Sequence, residues 1–282
     1  MSAAPDLAAP AARPRRAPPA LLLAGLAVIL LWALVALAAP LVATHDPFAI
    51  DLRAVLQPPG AAHWFGTDNV GRDVFSRTAF GARMALYIGL VGVIAPLVIG
   101  TAAGLLAGYF GGWVDALLMR IADVTFAFPF FVLVLAIVAV LGPGIGNYFV
   151  ALALVGWIAY ARLARAEAMV LARAEFVLAE RTMGFSHAHV LLRHVLPNAV
   201  SPIAVYAMTD VTLVILFGAS LGFLGMGTQP PTAEWGVMIA DGQGYVATAW
   251  WISLFPGLAM LTLGAGFALV GDGLARMLRI ER

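Results

Sequence analysis

Lysine is absent from this sequence and so is cysteine; all sixteen Lys+Arg positions are arginine. Without lysine the GxxxxGK[ST] loop that cradles nucleotide phosphates cannot be built, so the chain is not itself a P-loop ATPase. Without cysteine there is no disulfide, zinc knuckle or thiol nucleophile, and no indication of redox compartment. Charge of either sign is scarce as well, at 11% of residues, where a soluble domain carries about 25%. Hydrophobic residues make up 62% of the 282 positions. Such a chain cannot cover a water-facing surface, and its natural solvent is a lipid bilayer. A net charge of +1 leaves no electrostatic footprint for nucleic acid.

What is present is a series of long uncharged runs. Residues 1–20 are rich in Ala and Pro and lack periodicity, as a disordered tail does. Residues 21–43 are uncharged and too long for the apolar region of a signal peptide, so they are expected to be a retained transmembrane helix. A polar loop over 44–83 follows. A second span is expected from Met84 to near Phe110, and a third over about Asp115–Leu141, kinked at Pro129. The Gly- and Pro-rich LGPGIGN at Leu141–Asn147 makes a turn into a fourth, about Tyr148–Ala166. A fifth runs from Pro197 to about Leu224 and a sixth from about Trp250 onward, closing a core over 84–276 with a C-terminal segment at 277–282. The expectation is an all-α polytopic membrane protein with six transmembrane helices.

Arginine placement orients it. With the N-terminus cytoplasmic, inside segments hold twelve Arg and outside segments only Arg53, Arg72, Arg77 and Arg83; the positive-inside rule therefore puts both termini in the cytoplasm. Trp113, Trp235, Trp250 and Trp251 fall near span ends, as interface aromatics do. The loop over 167–196 is then cytoplasmic, and the loops at 44–83 and 225–249 face outside.

Within that cytoplasmic loop, FVLAERTMGFSHAHVLLRHVLPNAV (Phe176–Val200) gathers polar groups in a greasy chain. An ordinary solvated loop is one reading. The pattern favours another: a short helix, a turn permitted by Gly184, a second short helix capped by Ser186, and a restart at Pro197, which suits the first position of a helix. Met183 and Phe185 form an apolar tip rimmed by charge, the signature of a docking surface. A metal site is expected to be absent, because His187, His189 and His194 do not share one helical face and no carboxylate falls between Glu180 and Asp210.

These residues carry a resemblance. Ala179, Gly184, Leu196 and Pro197 fall in register with the cytoplasmic EAA motif of ABC-importer permeases, although Leu178 stands at the motif's Glu and His194 at its Ile. FGTDNVGRDVFSRTAFGARMAL (Phe65–Leu86), AGYFGGWVDALLMRIADVTFAFP (Ala107–Pro129), ASLGFLGMGTQPPTAEWGVMI (Ala219–Ile239) and LVGDGLARML (Leu269–Leu278) resemble motifs of the dipeptide/oligopeptide/nickel permease family, in its C-type subunit. The resemblance covers most of the chain from residue 60 onward. It implies a type I ABC-importer permease fold in the bacterial inner membrane, forming half of a pathway with a second, homologous permease subunit. It further implies two cytoplasmic ATPase subunits, an extracytoplasmic solute-binding protein, and peptides or a nickel chelate as substrate. No cofactor or metal is implied for this chain. The ATPase-docking residues would be Ala179, Glu180, Arg181, Met183, Gly184, Phe185, Ser186, Leu196 and Pro197, with the external loops as candidate contacts for the binding protein or plain connectors. An ion-coupled secondary transporter and a membrane scaffold are poorer fits, since six spans with a single midplane carboxylate lack a repeat of broken helices.

Two polar features inside the spans stand apart from the motifs. Asp210 lies about 20 Å along a helix from Pro197, near mid-bilayer, where a charge usually meets a cavity or partner; it is expected at the pathway wall or subunit interface, or in a structural hydrogen bond with its neighbours Thr209 or Thr212. Arg120 and Asp123, three residues apart, are expected to pair.

Overall fold

The computed structural model describes residues 19–280. The tail expected over 1–20 lies almost wholly outside the described residues, as do the last two residues of 277–282. All regular structure among the described residues is helical apart from one isolated bridge between Thr67 and Asp73.

Helix α1, Ala20–Leu37, is followed by the short α2, Ala39–Val42, with Pro40 at its start. Leu23, Leu26, Leu30, Leu31 and Leu34 of α1 are exposed, as lipid-facing positions are. Its other side packs on the last long helix: a Cβ at Gly25 would meet the backbone of Gly266 and Val270, and one at Gly273 would meet that of Leu22. Arg83 closes the C-terminus of α1, donating to the carbonyls of Ala36 (2.5 Å) and Leu37 (3.1 Å).

Helix α3, Val74–Phe110, begins ten residues before the expected Met84. Asp73 caps it, its Oδ2 accepting from the Ser76 N–H at 2.8 Å. The first turns are buried in the loops over 44–73 and 224–250, which is how Arg77 tolerates 1% exposure: its Nη1 donates to the Pro47 carbonyl (3.1 Å) and its Nε lies 3.7 Å from Asp68 Oδ2. At the far end Gly111 (φ 63) and Gly112 (φ 54) turn the chain into α4, Gly112–Phe126.

Pro129 does more than kink the third span. Helix α5, Phe130–Leu141, leaves α4 at an angle of 84° across Ala127–Pro129. Proline offers no N–H and disfavours helical geometry in the residue before it, so the ladder stops rather than bends. At about 18 Å, α5 alone is too short to cross the hydrocarbon core. Five helical runs are long and apolar enough to cross, or six with α4–α5 as one broken span.

The fourth run is α6, Ile145–Val155, and α7, Trp157–Leu171, joined at Gly156, whose backbone abuts the Pro96 ring of α3. Helices α3 and α7 meet along Gly100, Gly104 and Gly108. A Cβ at these glycines would meet the carbonyls of Trp157, Ala161 and Arg165 in turn. Ala161, Ala164 and Ala168, all fully buried, form the opposing face. Small residues four apart let the backbones touch, the packing that replaces hydrophobic drive within a bilayer.

After the turn at Ala172–Ala174, α8 spans Glu175–Thr182 and α9 His187–Val190. No restart occurs at Pro197. A π-helical turn, Leu191–Val195, carries α9 straight into α10, Leu196–Phe223, as one run from His187 to Phe223. The widened turn is the physical alternative to a break: proline has no N–H to return to the carbonyl four residues back, and the extra residue gives its ring room. Asn198 Nδ2 donates to the His194 carbonyl at 2.6 Å. The short α11, Trp235–Gln243, and the long α12, Trp251–Ile280, complete the chain.

Candidate functional site

Three regions bear on function. At one end of α3 the two long loops form a single scaffold. Arg72 bridges them: its Nε lies 2.6 Å from Asp68 Oδ2 and its Nη2 3.0 Å from Asp241 Oδ2 of α11. Indole N–H groups stitch the same seam, Trp235 donating to the Thr78 carbonyl and Trp251 to the Thr67 carbonyl, each at 3.0 Å. Glu234 caps α11, accepting from the N–H groups of Gly236 (2.8 Å) and Val237 (2.9 Å). Burial pushes its carboxyl up to about 7, against the opposing pull of those two donors. The motif residues of these loops therefore serve structure, while Gln229, Pro230 and Pro231 stand exposed at the rim.

The second region is the element Glu175–Pro197 at the other end of α3. Val177, Val190, Leu191 and Val195 are buried and anchor it to the core beside Leu105 and Tyr109. His187 Nδ1 and the Tyr109 hydroxyl lie 3.0 Å apart. Beyond these anchors the chain turns at Gly184, whose φ of +86° belongs to glycine and whose Cβ position is open space; the requirement is backbone conformation, not close approach. Ser186 caps α9 by accepting from the His189 N–H at 3.3 Å. Ala179 and every residue from Arg181 to Ala188 are exposed, with Met183 at 67% and Phe185 at 46%. Glu180 and Leu196 are half-buried and Pro197 is exposed.

The fold also brings Glu180 beside His189 and His194, because the turn at Gly184 lays α8 back along α9 and the π-helical turn. His194 Nε2 lies 3.1 Å from Glu180 Oε1, and His189 Nε2 lies 3.8 Å from Oε2. No carboxylate falls between Glu180 and Asp210 along the chain, but the fold brings Glu180 itself to two of the three histidines. A second group, His45, His63 and Asp73, gathers within the loop scaffold at the start of α3.

The third region is a cavity of about 620 Å³ lined among others by Phe126, Pro129, Val155, Tyr206, Asp210 and Phe217. It opens where α4 and α5 part. Asp210 Oδ2 accepts from the Tyr160 hydroxyl of α7 at 2.8 Å. The threonines do not serve it: Thr212 donates instead to the Gly264 carbonyl at 3.1 Å. Sequence reasoning missed Tyr160, since its partner lies fifty residues away. Sequence reasoning also passed over the Gly100–Gly104–Gly108 spacing, a signal that could have placed α3 against another helix.

The expected pairing of Arg120 with Asp123 is not what the fold makes. Asp123 Oδ1 binds Arg162 Nη2 at 2.8 Å and Arg165 Nε binds Asp115 Oδ1 at 2.5 Å, while Arg120 is exposed. Both ion pairs tie α4 to α7, and a cross-helix bond there is available only because the two helices pack side by side.

Residues 100–280 match the family described as binding-protein-dependent transport system inner membrane component. The chain is 46% identical over 251 residues to the probable D,D-dipeptide transport system permease protein DdpC of Escherichia coli (strain K12), covering 89% of this chain and 84% of that protein. It is 41% identical over 254 residues to the dipeptide transport system permease protein DppC of Alkalihalophilus pseudofirmus, covering 90% and 84%. It is also 41% identical over 251 residues to the glutathione transport system permease protein GsiD of Pectobacterium atrosepticum, covering 89% and 83%. Among solved structures, a chain of the MetNI methionine ABC transporter in inward-facing conformations superposes with a TM-score of 0.57 at 19% identity, covering 73% of this chain and 96% of that one. A chain of an amino acid ABC transporter with histidines gives 0.53 at 16%, covering 72% and 94%. At such identities the likeness is one of fold.

Proposed function

Because the chain belongs to the family of binding-protein-dependent transport inner membrane components, we propose that it is the permease subunit through which a peptide-class solute crosses the membrane, with both termini and the Glu175–Pro197 element in the cytoplasm. It is a multi-pass inner membrane protein and not an enzyme; the ATPase that powers it and the binding protein that delivers substrate are separate chains. Half of the pathway is contributed here and half by a second, homologous permease subunit, with two ATPase subunits beneath.

The observation that carries this reading is the exposed tip at Met183–Gly184–Phe185, held out from the bundle by buried Val177 on one side and Val190 on the other. An apolar tip on a rigid base is suited to a groove in a partner. Arg181 at the rim offers charge, and Leu196 and Pro197 set the direction in which the following helix leaves. Closure of the ATPases around ATP pulls on this element and favours one state of the bundle over the other.

The cavity beside Asp210 is the wall of the pathway in this reading. A single carboxylate among apolar and aromatic residues provides one oriented polar contact for a solute with a cationic amine, as the free end of a peptide has. The test is uptake of labelled dipeptide into vesicles holding this chain with its partner permease and ATPases. Uptake should require ATP and a loaded binding protein together; uptake driven by an ion gradient alone would overturn the reading. The chain contains no cysteine, so Ser186→Cys and Gln229→Cys place single labels at the two ends. A membrane-impermeant thiol reagent applied to cells should modify the second and spare the first.

A further inference from the structure

Glu180 has one carboxylate oxygen, Oε2, that is buried and without a hydrogen-bond partner. The atom facing it is His189 Nε2 at 3.8 Å, too far to bond. Its other oxygen, Oε1, lies 3.1 Å from His194 Nε2. The three ligand atoms lie within 4.8 Å of one another, and the side chains keep 18% (Glu180), 37% (His189) and 28% (His194) exposure, so an ion has a way in.

A buried carboxylate oxygen left bare is costly, and a cation held between it and the two imidazoles would offset that cost. A zinc ion holds nitrogen and oxygen ligands at about 2.0–2.2 Å in tetrahedral array, which sets neighbouring ligand atoms roughly 3.3 Å apart. The two imidazoles face different oxygens of the one carboxylate, His194 Nε2 at 3.1 Å from Oε1 and His189 Nε2 at 3.8 Å from Oε2, so a small rotation of the carboxylate brings one oxygen to that spacing from both. The His189 ring is held in place by stacking on Phe185, with centroids 4.8 Å apart. Neutral imidazoles with one carboxylate suit a borderline divalent ion and disfavour magnesium or calcium, which prefer all-oxygen shells.

We propose that Glu180, His189 and His194 bind one zinc-class divalent ion, the fourth position facing solvent. His187 is not a ligand, being engaged with Tyr109. The His45, His63 and Asp73 group has no such vacancy: Asp73 Oδ1 lies 2.9 Å from His63 Nδ1, and its Oδ2 caps α3. The ion would fasten α8 to the start of the helix that leads into α10, closing the turn at Gly184. That stiffening acts on transport only if this element docks the ATPases, and so rests on the function proposed above; the binding of metal does not.

The test uses tag-free, full-length chain stripped of metal in detergent, with Zn2+ titrated against a chromophoric chelator. A His63→Gln background removes the other histidine–carboxylate group. One equivalent should bind, weakened at least about ten-fold by His189→Ala and by Glu180→Gln, and unaffected by His187→Ala. Co2+ in the same site should show the intense visible bands of a four-coordinate ion. Since His189 is partly exposed, His189→Ala should keep the parent elution profile. Absence of stoichiometric binding in the folded parent, or binding indifferent to His189→Ala, overturns the site. In vesicles with ATPases, Zn2+ should change the ATPase rate of the parent and not of His189→Ala. An unchanged rate with binding intact overturns the stiffening effect and leaves the site standing.

Discussion

The Tyr160 hydroxyl lies 2.8 Å from Asp210 Oδ2, joining α7 to α10 across fifty residues of sequence at the edge of the intramembrane cavity. The tyrosine orients one oxygen of a carboxylate that lines the cavity. Asp210→Asn keeps the size and the acceptor while removing the charge. It should reduce uptake of peptides with a free amino terminus by about ten-fold relative to N-acetylated ones, measured by competition in vesicles. Equal loss for both would place Asp210 in packing. Tyr160→Phe should cost about 1 kcal/mol of stability and blur the discrimination without abolishing transport.

Gly104 is the middle of the stripe where α3 touches α7, and its Cβ position is occupied by the Ala161 carbonyl and the Ala164 side chain. Neither can yield without parting the helices. Gly104→Ala should destabilise by roughly 1–3 kcal/mol, and Gly104→Leu should leave little monodisperse protein. Melting temperature and detergent elution profile read both.

Gly184 has open space around it and a φ of +86°, so its substitutions separate strain from collision. Gly184→Ala should lower binding-protein-stimulated ATPase activity modestly, through about 1–2 kcal/mol of backbone strain. Gly184→Asn, more at ease with positive φ, should do so less. Gly184→Asp and Gly184→Arg add bulk and charge at the tip and should abolish coupling while leaving membrane insertion and elution intact. Normal transport by either charged variant would remove this turn from the ATPase interface.

Glu234 makes the loop scaffold at the start of α3 sensitive to pH. Its folded carboxyl keeps a proton to about pH 7, whereas the ordinary value is 4.5, so between these the native chain binds more protons than the unfolded one. The stability this group contributes is complete below the unfolded value and is lost as pH rises through the folded one. Relative to Glu234→Gln, the native protein should lose melting temperature from about pH 5 to about pH 8. Parallel curves for the two would mean that the site is more hydrated than its burial implies.

Much of this was legible in the order of residues, and the rest was hidden for identifiable reasons. Long uncharged runs signal helices because a bilayer leaves no other way to satisfy the backbone; α1 and α12 lie along such runs, whereas α3 starts ten residues ahead of its run and the helix containing α10 starts ten residues ahead of Pro197. Gly184 and Pro197 marked the exposed element, although proline's effect differed at its two sites. At Pro129 the chain broke through 84°, while at Pro197 a widened turn absorbed it and the helix ran on. Local sequence does not decide between these outcomes; the surrounding packing does. Partners across helices were the least visible. Asp123 was assigned Arg120, three residues off, and instead found Arg162, thirty-nine away. Glu180 met His189 and His194 only through a reversal of the chain.

The absence of a break at Pro197 has a mechanical consequence. From His187 to Phe223 the helix is 37 residues, about 55 Å at 1.5 Å per residue. One end carries the exposed tip, the other reaches the loop scaffold around α11, and Asp210 sits not far from the middle. A tilt of about 10° around that middle would swing each end through roughly 5 Å in opposite directions. If the tip docks the ATPases as proposed, a displacement there would be delivered as an opposite displacement at the far end, while the carboxylate near the fulcrum would turn in place and change which way it faces.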